Sequence, residues 1–384
     1  MKFVSFCILA LGSACTGPPD GSDATAQVVL DPTTPGTTWE TAEPSDVGLD
    51  GPAVEAFIDD VFRNSATQGV VVVRNGYIVG ERYSDWADAE APATSWSMAK
   101  SMYAEAVGVA IEQGLVASLD ASVSDYIDEW LGTDKANITV RNVLEMRTAL
   151  KNDFYGMFLV DDMSSYSVNL ELTGGIDEVF DYNNSNTQLL GEVLNRVSGQ
   201  SSGDYLQDQI FTPIGVEPIS MWVDEVGSSV NFAGIDATTR DFARFGLLMT
   251  RSGAWGDAQV VPADYVEASL RPASSTFYGY QWWTYNQDYL DMMSDWSMGG
   301  ETPPEAPSQA FSMAWGADGQ YLFPWPEEDI LIAINTRYTY NEDTPNPVMS
   351  IGHTPLTDTA GDALSYSLAQ SLSLALEMLA TAER

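Results

Sequence analysis

Ser97-Met98-Ala99-Lys100 sets a hydroxyl and an amine three residues apart. If the stretch from Thr94 to Gly114 is helical, positions three apart share a face, so Ser97 and Lys100 can hydrogen-bond. A serine at a helix start also meets unpaired backbone N–H groups and the positive end of the helix dipole. Lys100 lies among Met98, Ala99, Met102, Ala104, Ala106, Val107 and Val109. Apolar surroundings disfavour an ammonium and push lysine toward the neutral amine that a base needs. The pair could therefore be a nucleophile and its base. The four letters alone read more simply as an N-cap followed by a lysine snorkelling to solvent. Lysine usage shifts that reading: the chain has only Lys2, Lys100, Lys135 and Lys151, and one of the four sits in a mostly apolar helix, where burial costs stability.

Other chemistries are narrowed by counting. His353 is the only histidine, so a zinc site of several imidazoles is excluded, and a Ser-His-Asp triad would have to use it. It lies in the turn-rich Ile351-Gly352-His353-Thr354-Pro355 and is expected on a surface loop. Cys7 and Cys15 are the only cysteines, both near the N-terminus, so the body of the protein has neither disulfide nor thiol chemistry. A formal charge of −39 and a pI near 4.1 argue against nucleic acid as a partner, since phosphate binding needs clustered Lys and Arg. The acidic excess is expected on a solvated surface and suits solubility at high salt, where charge repulsion is screened. Gly199-Gln200-Ser201-Ser202-Gly203 formally fits a nucleophile elbow. That pattern must follow a strand and open a helix, whereas here it closes a helical pattern, so it reads as a C-cap and loop.

The elements that must position these groups can be read in order. Residues 1–15 read as an export signal: Lys2, an apolar run from Phe3 to Leu11 too short for a stable membrane span, then Gly12-Ser13-Ala14-Cys15. The last four resemble a lipoprotein processing site with Cys15 taking the lipid, although Gly12 stands where leucine is usual. The expected location is the cell envelope, periplasmic or as an outer-membrane lipoprotein, with a lipid anchor as the only membrane contact. Residues 16–45, rich in Thr, Pro, Gly, Asp and Ser, are expected as a flexible tether, and 46–384 as the folded domain. Asp50 can cap a helix over Pro52 to Arg63. Val70 to Tyr83 is a hairpin turning at Asn75-Gly76. Helices are expected at Val140–Met146 and at Thr187–Val197, the latter closed by Ser198-Gly199. Tyr278–Thr284, Ala310–Trp315, Gln320–Phe323 and Ile330–Ile334 read as strands, and Ala363–Ala382 as a closing helix. Strands at both ends thus flank a mostly helical middle, about 86–251. The simplest topology is one sheet built from both ends of the chain with a helical lobe inserted.

Ser97-Met98-Ala99-Lys100, Tyr182-Asn183-Asn184 and Gly316-Ala317-Asp318-Gly319-Gln320 together resemble the penicillin-recognising serine hydrolases. That group includes class C β-lactamases, D-alanyl-D-alanine carboxypeptidases, β-lactamase-like esterases and aminohexanoate-dimer (nylon-oligomer) hydrolases. The resemblance runs from about Trp39 to the C-terminal helix. Its most specific segment, Phe180 to Gly191, is nearest to the nylon-oligomer hydrolase and esterase branch. It implies a β-lactamase/transpeptidase-like α/β (α+β) fold, no cofactor, and acyl transfer through Ser97, Lys100 and Tyr182. Asn184 would hold the substrate, and the oxyanion would rest between the N–H groups of Ser97 and Ala317, beside Gly316. A nearby ammonium would lower the phenol pKa, and Lys100 and Tyr182 would titrate together.

The departures point to substrate. No lysine follows Lys151, so the late-strand Lys-Thr-Gly motif is absent, and Asp318 stands where the nylon-oligomer hydrolases carry histidine. An aspartate there would repel a substrate carboxylate. A neutral or cationic small-molecule ester or amide is therefore expected, ahead of carboxypeptidase or β-lactamase activity or a catalytically silent binding protein. Trp282, Trp283 and Trp315 fit an acyl pocket and core packing equally.

Overall fold

The computed structural model describes residues 30–153, 156–295, 310–317, 319–336, 375, 377 and 378. The strands are β1 (Thr67–Arg74), β2 (Tyr77–Tyr83), β3 (Pro92–Thr94), β4 (Ser220–Met221), β5 (Ile235–Thr238), β6 (Ala254–Trp255), β7 (Ala258–Gln259), β8 (Trp283–Tyr285), β9 (Phe311–Gly316), β10 (Gln320–Trp325) and β11 (Ile330–Thr336). The α-helices are α1 (Gly51–Val61), α2 (Met98–Glu112), α3 (Val140–Leu144), α4 (Met163–Asn169), α5 (Asn184–Ser198), α6 (Ser202–Leu206), α7 (Thr239–Thr250), α8 (Ala263–Ser269) and α9 (Gln287–Asp295).

The main sheet has the order β2-β1-β11-β10-β9-β8, so strands from the two ends of the chain meet where β1 pairs antiparallel with β11. This is the expected sheet from both ends. Asn75 and Gly76 both adopt positive φ, 54° and 82°, as the tight hairpin between β1 and β2 requires. Val70 to Val73 are all fully buried, because the sheet is covered on both faces. Val70 and Val72 belong to the core with Val54, Phe57 and Ile58 of α1, while Val71 and Val73 belong to the core on the other face, where α7 packs on β1. The strand expected over Tyr278–Thr284 is shorter than read: β8 begins at Trp283, and Gln281 has a left-handed φ of 62° that no strand accommodates.

Helix α2 is buried from Met98 to Ala110 on every side. It is enclosed by the sheet on one side and α5, α6 and α8 on the others, which explains its lack of a polar face. A second sheet, β3-β5-β4, anchors the segment entering α2: the Ser95 N–H donates to the Ile235 carbonyl (2.8 Å) and the Ile235 N–H to Ser95 Oγ (3.1 Å). Helix α7, inside the expected lobe boundary, packs on β11 and β10 instead.

Residues 30–44, expected in the tether, lie on the body. Thr41 bridges Ile78 on the outer edge of β2, and the carbonyls of Thr33 and Gly36 accept from Arg251 and Arg244. Backbone groups of an edge strand, the buried Arg244 and the partly buried Arg251 need partners, and this segment supplies them. The leader with Cys15, Asp318 and His353 lie outside the described residues, as does most of the expected closing helix. Among the described residues no helix is long and apolar enough to cross a membrane.

Candidate active site

Ser97 is the N-cap of α2, and Trp96 just before it has a φ of 43°. A left-handed bulky residue is strained, and such strain persists only where surrounding contacts over-determine it. Here the contacts are the Ser95–Ile235 bonds on one side and β9 on the other. A Cβ on Gly316 would sit 2.3 Å from the Ser95 carbonyl oxygen, so only glycine lets β9 approach the turn this closely. Ala317 follows in the turn closing the β9–β10 hairpin and is exposed.

Lys100 Nζ lies 2.9 Å from Ser97 Oγ and donates to the Phe232 carbonyl, also at 2.9 Å. Only 1% of Lys100 is exposed, so it does not snorkel. Burial pushes its pKa well below the usual lysine range. The amine lies over the Tyr182 ring, 5.0 Å from the centroid, and 5.5 Å from that of Phe232.

Tyr182 comes from the segment entering α5. Asn152 Nδ2 donates to the Tyr182 carbonyl and to Asp181 Oδ1; Asn183 Nδ2 donates to the carbonyls of Leu150 and Lys151, and its Oδ1 caps the Ser185 N–H. The ring packs on Trp283 (5.1 Å between centroids) and edge-on to Tyr278. Lys100 Nζ thus lies against both Ser97 Oγ and the Tyr182 ring, and the Ser97 hydroxyl is near enough to the phenol to lower its pKa, so hydroxyl, amine and phenol meet at one place. Burial raises the phenol pKa, and the nearby Ser97 hydroxyl offsets this only in part. This corrects the expectation of a phenol acidified by a neighbouring ammonium: burial disfavours the ammonium and the phenolate alike. Asn184, the first residue of α5, is 3% exposed, and its carboxamide has no hydrogen-bond partner among the described residues.

The three tryptophans divide. Trp282 is core, stacked on Phe245 and donating to Glu105 Oε1 at 3.0 Å. Trp283 is buried behind Tyr182, and Trp315 is half-buried against Trp283. On the lobe side Phe158 meets Phe232 edge-on, and Trp222 meets Trp96. Ser201 is not in this cluster; it caps α6 by accepting the Asp204 N–H. The Phe232 carbonyl was not foreseen, since any residue type supplies a carbonyl and no sequence signal marks one.

An antiparallel sheet covered on both faces, with a Ser-x-x-Lys helix between sheet and helical lobe, is a β-lactamase/transpeptidase-like fold. The β-lactamase family model matches residues 55–349, and the chain belongs to that family. It is 25% identical over 241 residues to the 6-aminohexanoate-dimer hydrolase of Paenarthrobacter ureafaciens; the match takes in 56% of this chain and 60% of that relative's length. A Bacillus anthracis structure provisionally described as a 6-aminohexanoate-dimer hydrolase superposes with a TM-score of 0.64 at 19% identity, covering 92% of this chain and 88% of that one. A class C β-lactamase from Rhodobacter sphaeroides gives 0.55 at 16%, covering 78% and 96%.

Proposed function

We propose that the protein is a serine hydrolase that forms an acyl-enzyme on Ser97 and hydrolyses a neutral carboxylic ester or amide. The observation that carries this reading is the meeting of Ser97 Oγ, Lys100 Nζ at 2.9 Å and the Tyr182 phenol. A neutral Lys100 takes the Ser97 proton as Oγ attacks the carbonyl carbon. The oxyanion rests between the N–H groups of Ser97 and Ala317, and Asn184 presents its unpaired carboxamide to the substrate. Tyr182, kept protonated by burial, gives its proton to the leaving group and is restored through Lys100. Water then releases the acyl group by the reverse route.

The substrate class follows from charge. Arg63, Arg82, Arg141, Arg147, Arg196, Arg240, Arg251 and Arg271 are ion-paired, and Arg244 and Lys135 are bound to backbone carbonyls. Among the described residues the cation in contact with Ser97 is Lys100, whose burial opposes its charge. A substrate carboxylate would find a poor partner in that amine, whereas the aromatic walls suit an apolar acyl group. We also propose that Cys15 tethers the enzyme to the cell envelope, where small-molecule substrates reach it.

The test is intact-protein mass spectrometry after exposure to a fluorophosphonate, a nitrophenyl ester, a linear aminohexanoate amide and a β-lactam. One adduct located on Ser97, absent in Ser97→Ala, is expected. A wild-type protein that takes no adduct would leave the binding-protein reading in its place. Adduct formation with the β-lactam alone would favour the carboxypeptidase and β-lactamase reading.

A further inference from the structure

The Phe232 carbonyl that accepts from Lys100 lies in a turn of residues 230–233, closed by the Ala233 N–H donating to the Val230 carbonyl at 3.4 Å. That closure is long, and the turn leans on a side chain from α5. Gln188 Oε1 accepts the Asn231 N–H at 3.1 Å, while Gln188 Nε2 donates to the Ser229 carbonyl at 2.8 Å and to Ser164 Oγ at 3.1 Å. A single carboxamide thus pairs with the loop on both sides of Val230, as a neighbouring strand would. Gln188 is fully buried, so no water substitutes for it. One turn further along α5, Gly191 lets the loop lie close: a Cβ there would fall 2.0 Å from Asn231 Oδ1. Asn231 Nδ2 in turn donates to Ser202 Oγ on α6 at 2.7 Å.

We propose that Gln188 is a positioning residue for the lysine base: by fixing the turn at Ser229 and Asn231 it holds the Phe232 carbonyl on Lys100 Nζ. This rests on the hydrolase reading. A neutral amine has two N–H bonds and one lone pair. With an N–H committed to the Phe232 carbonyl, the lone pair is free for the Ser97 hydroxyl. When the Ser97 proton moves to Nζ, the ammonium that forms has a carbonyl oxygen already in place, and the O–H bond broken is matched by the N–H bond made. The groups facing Nζ are the Ser97 hydroxyl, the Phe232 carbonyl and the Tyr182 and Phe232 rings. Losing a fixed acceptor makes Lys100 a weaker base, which lowers the acylation plateau and moves the ascending limb of the pH profile to lower pH.

Gln188→Met and Gln188→Glu test this, with rates expressed per Ser97 titrated by fluorophosphonate. Single-turnover acylation by a short-chain p-nitrophenyl ester should fall at least about tenfold in Gln188→Met with KM within about twofold, and the limb should move to lower pH. Gln188→Glu is matched to glutamine in shape and can donate only when protonated, so its rate relative to wild type should rise as pH falls. That variant decides the matter if Gln188→Met does not fold. A plateau within twofold of wild type, an unmoved limb, or a Gln188→Glu ratio independent of pH would overturn the inference alone. An unlabelled wild-type Ser97 would remove the hydrolase reading, and this inference with it.

Discussion

At the residue scale, burial disfavours the charged forms of two groups beside a serine. Lys100 is displaced by burial alone, and Tyr182 by burial that the nearby Ser97 hydroxyl partly offsets. The active form carries a neutral amine, so acylation should rise with pH as the ammonium loses its proton, with an apparent pKa well below the ordinary lysine value of about 10.4. A stopped-flow profile flat from mildly acidic to alkaline pH would contradict this assignment. Lys100→Met should cut acylation by about a hundredfold or more, in the range of a lost general base. Tyr182→Phe should spare activated nitrophenyl esters and impair amides by at least about tenfold, since only a poor leaving group needs the phenol proton. Equal losses on both substrates would place Tyr182 elsewhere in the mechanism. Ser97 and Lys100 could be read because their spacing is local to one helix. The direction of the Tyr182 shift could not, because desolvation depends on Trp283, Tyr278 and the rest of the enclosure.

At the element scale, the site is a junction of three pieces: the start of α2, the entry to α5 and the end of β9. The hairpin at Asn75-Gly76 and the α2, α5 and β11 segments were legible because periodicity and turn chemistry are local. The Tyr278–Thr284 strand was misjudged because Gln281 leaves the strand conformation to bind across the core. Its side chain donates to the carbonyls of Val143 and Leu144 and accepts from Thr187, while its own carbonyl accepts from Ser101. Those partners come from α2, α5 and the end of α3, distances in sequence that no window spans. Gly316→Ala makes a clean element-level test. Its Cβ must push β9 from the Ser95 carbonyl, so stability should fall by about 1–3 kcal/mol, as for overpacking. Per folded molecule, acylation should fall at least about tenfold as the Ala317 N–H is displaced. Denaturant titration alongside active-site titration separates the two effects, and unchanged acylation would remove Ala317 from the oxyanion site.

At the scale of the whole molecule, charge sets how the fold responds to solvent. Glu105 is fully buried in α2, accepts from Trp282, and has its pKa pushed up to about 8 by desolvation. A raised folded-state pKa means that the native state binds more protons than the unfolded one between about 4.3 and 8. Its contribution to stability is therefore fully present below that window and lost as pH rises through it. Lys100 works in the opposite sense: its folded pKa is depressed, so its contribution is present above about pH 10.4 and lost as pH falls. Glu105→Gln isolates the first effect. Its stability advantage over wild type should grow from about pH 4.3 to 8 and then level, and a constant difference would show that Glu105 does not titrate there. The net charge of −39 predicts a second response: Tm should rise as salt goes from about 0.1 M to 1 M and the screening length shrinks from about 10 Å to 3 Å. A Tm insensitive to salt would show that the acidic groups do not repel one another in the native state.

What the sequence alone determined is whatever is local or countable: a serine and lysine one helical turn apart, the hairpin, strands at both ends of the chain, and a single histidine, too few for a zinc site of several imidazoles. Tertiary structure alone decided that Tyr182 reaches Ser97, that residues 30–44 belong to the folded body, and that a carbonyl at Phe232 holds the amine. Spacing acts through bonds within one element. Convergence, desolvation and backbone acceptors arise only when distant segments exclude water from the same few cubic ångströms.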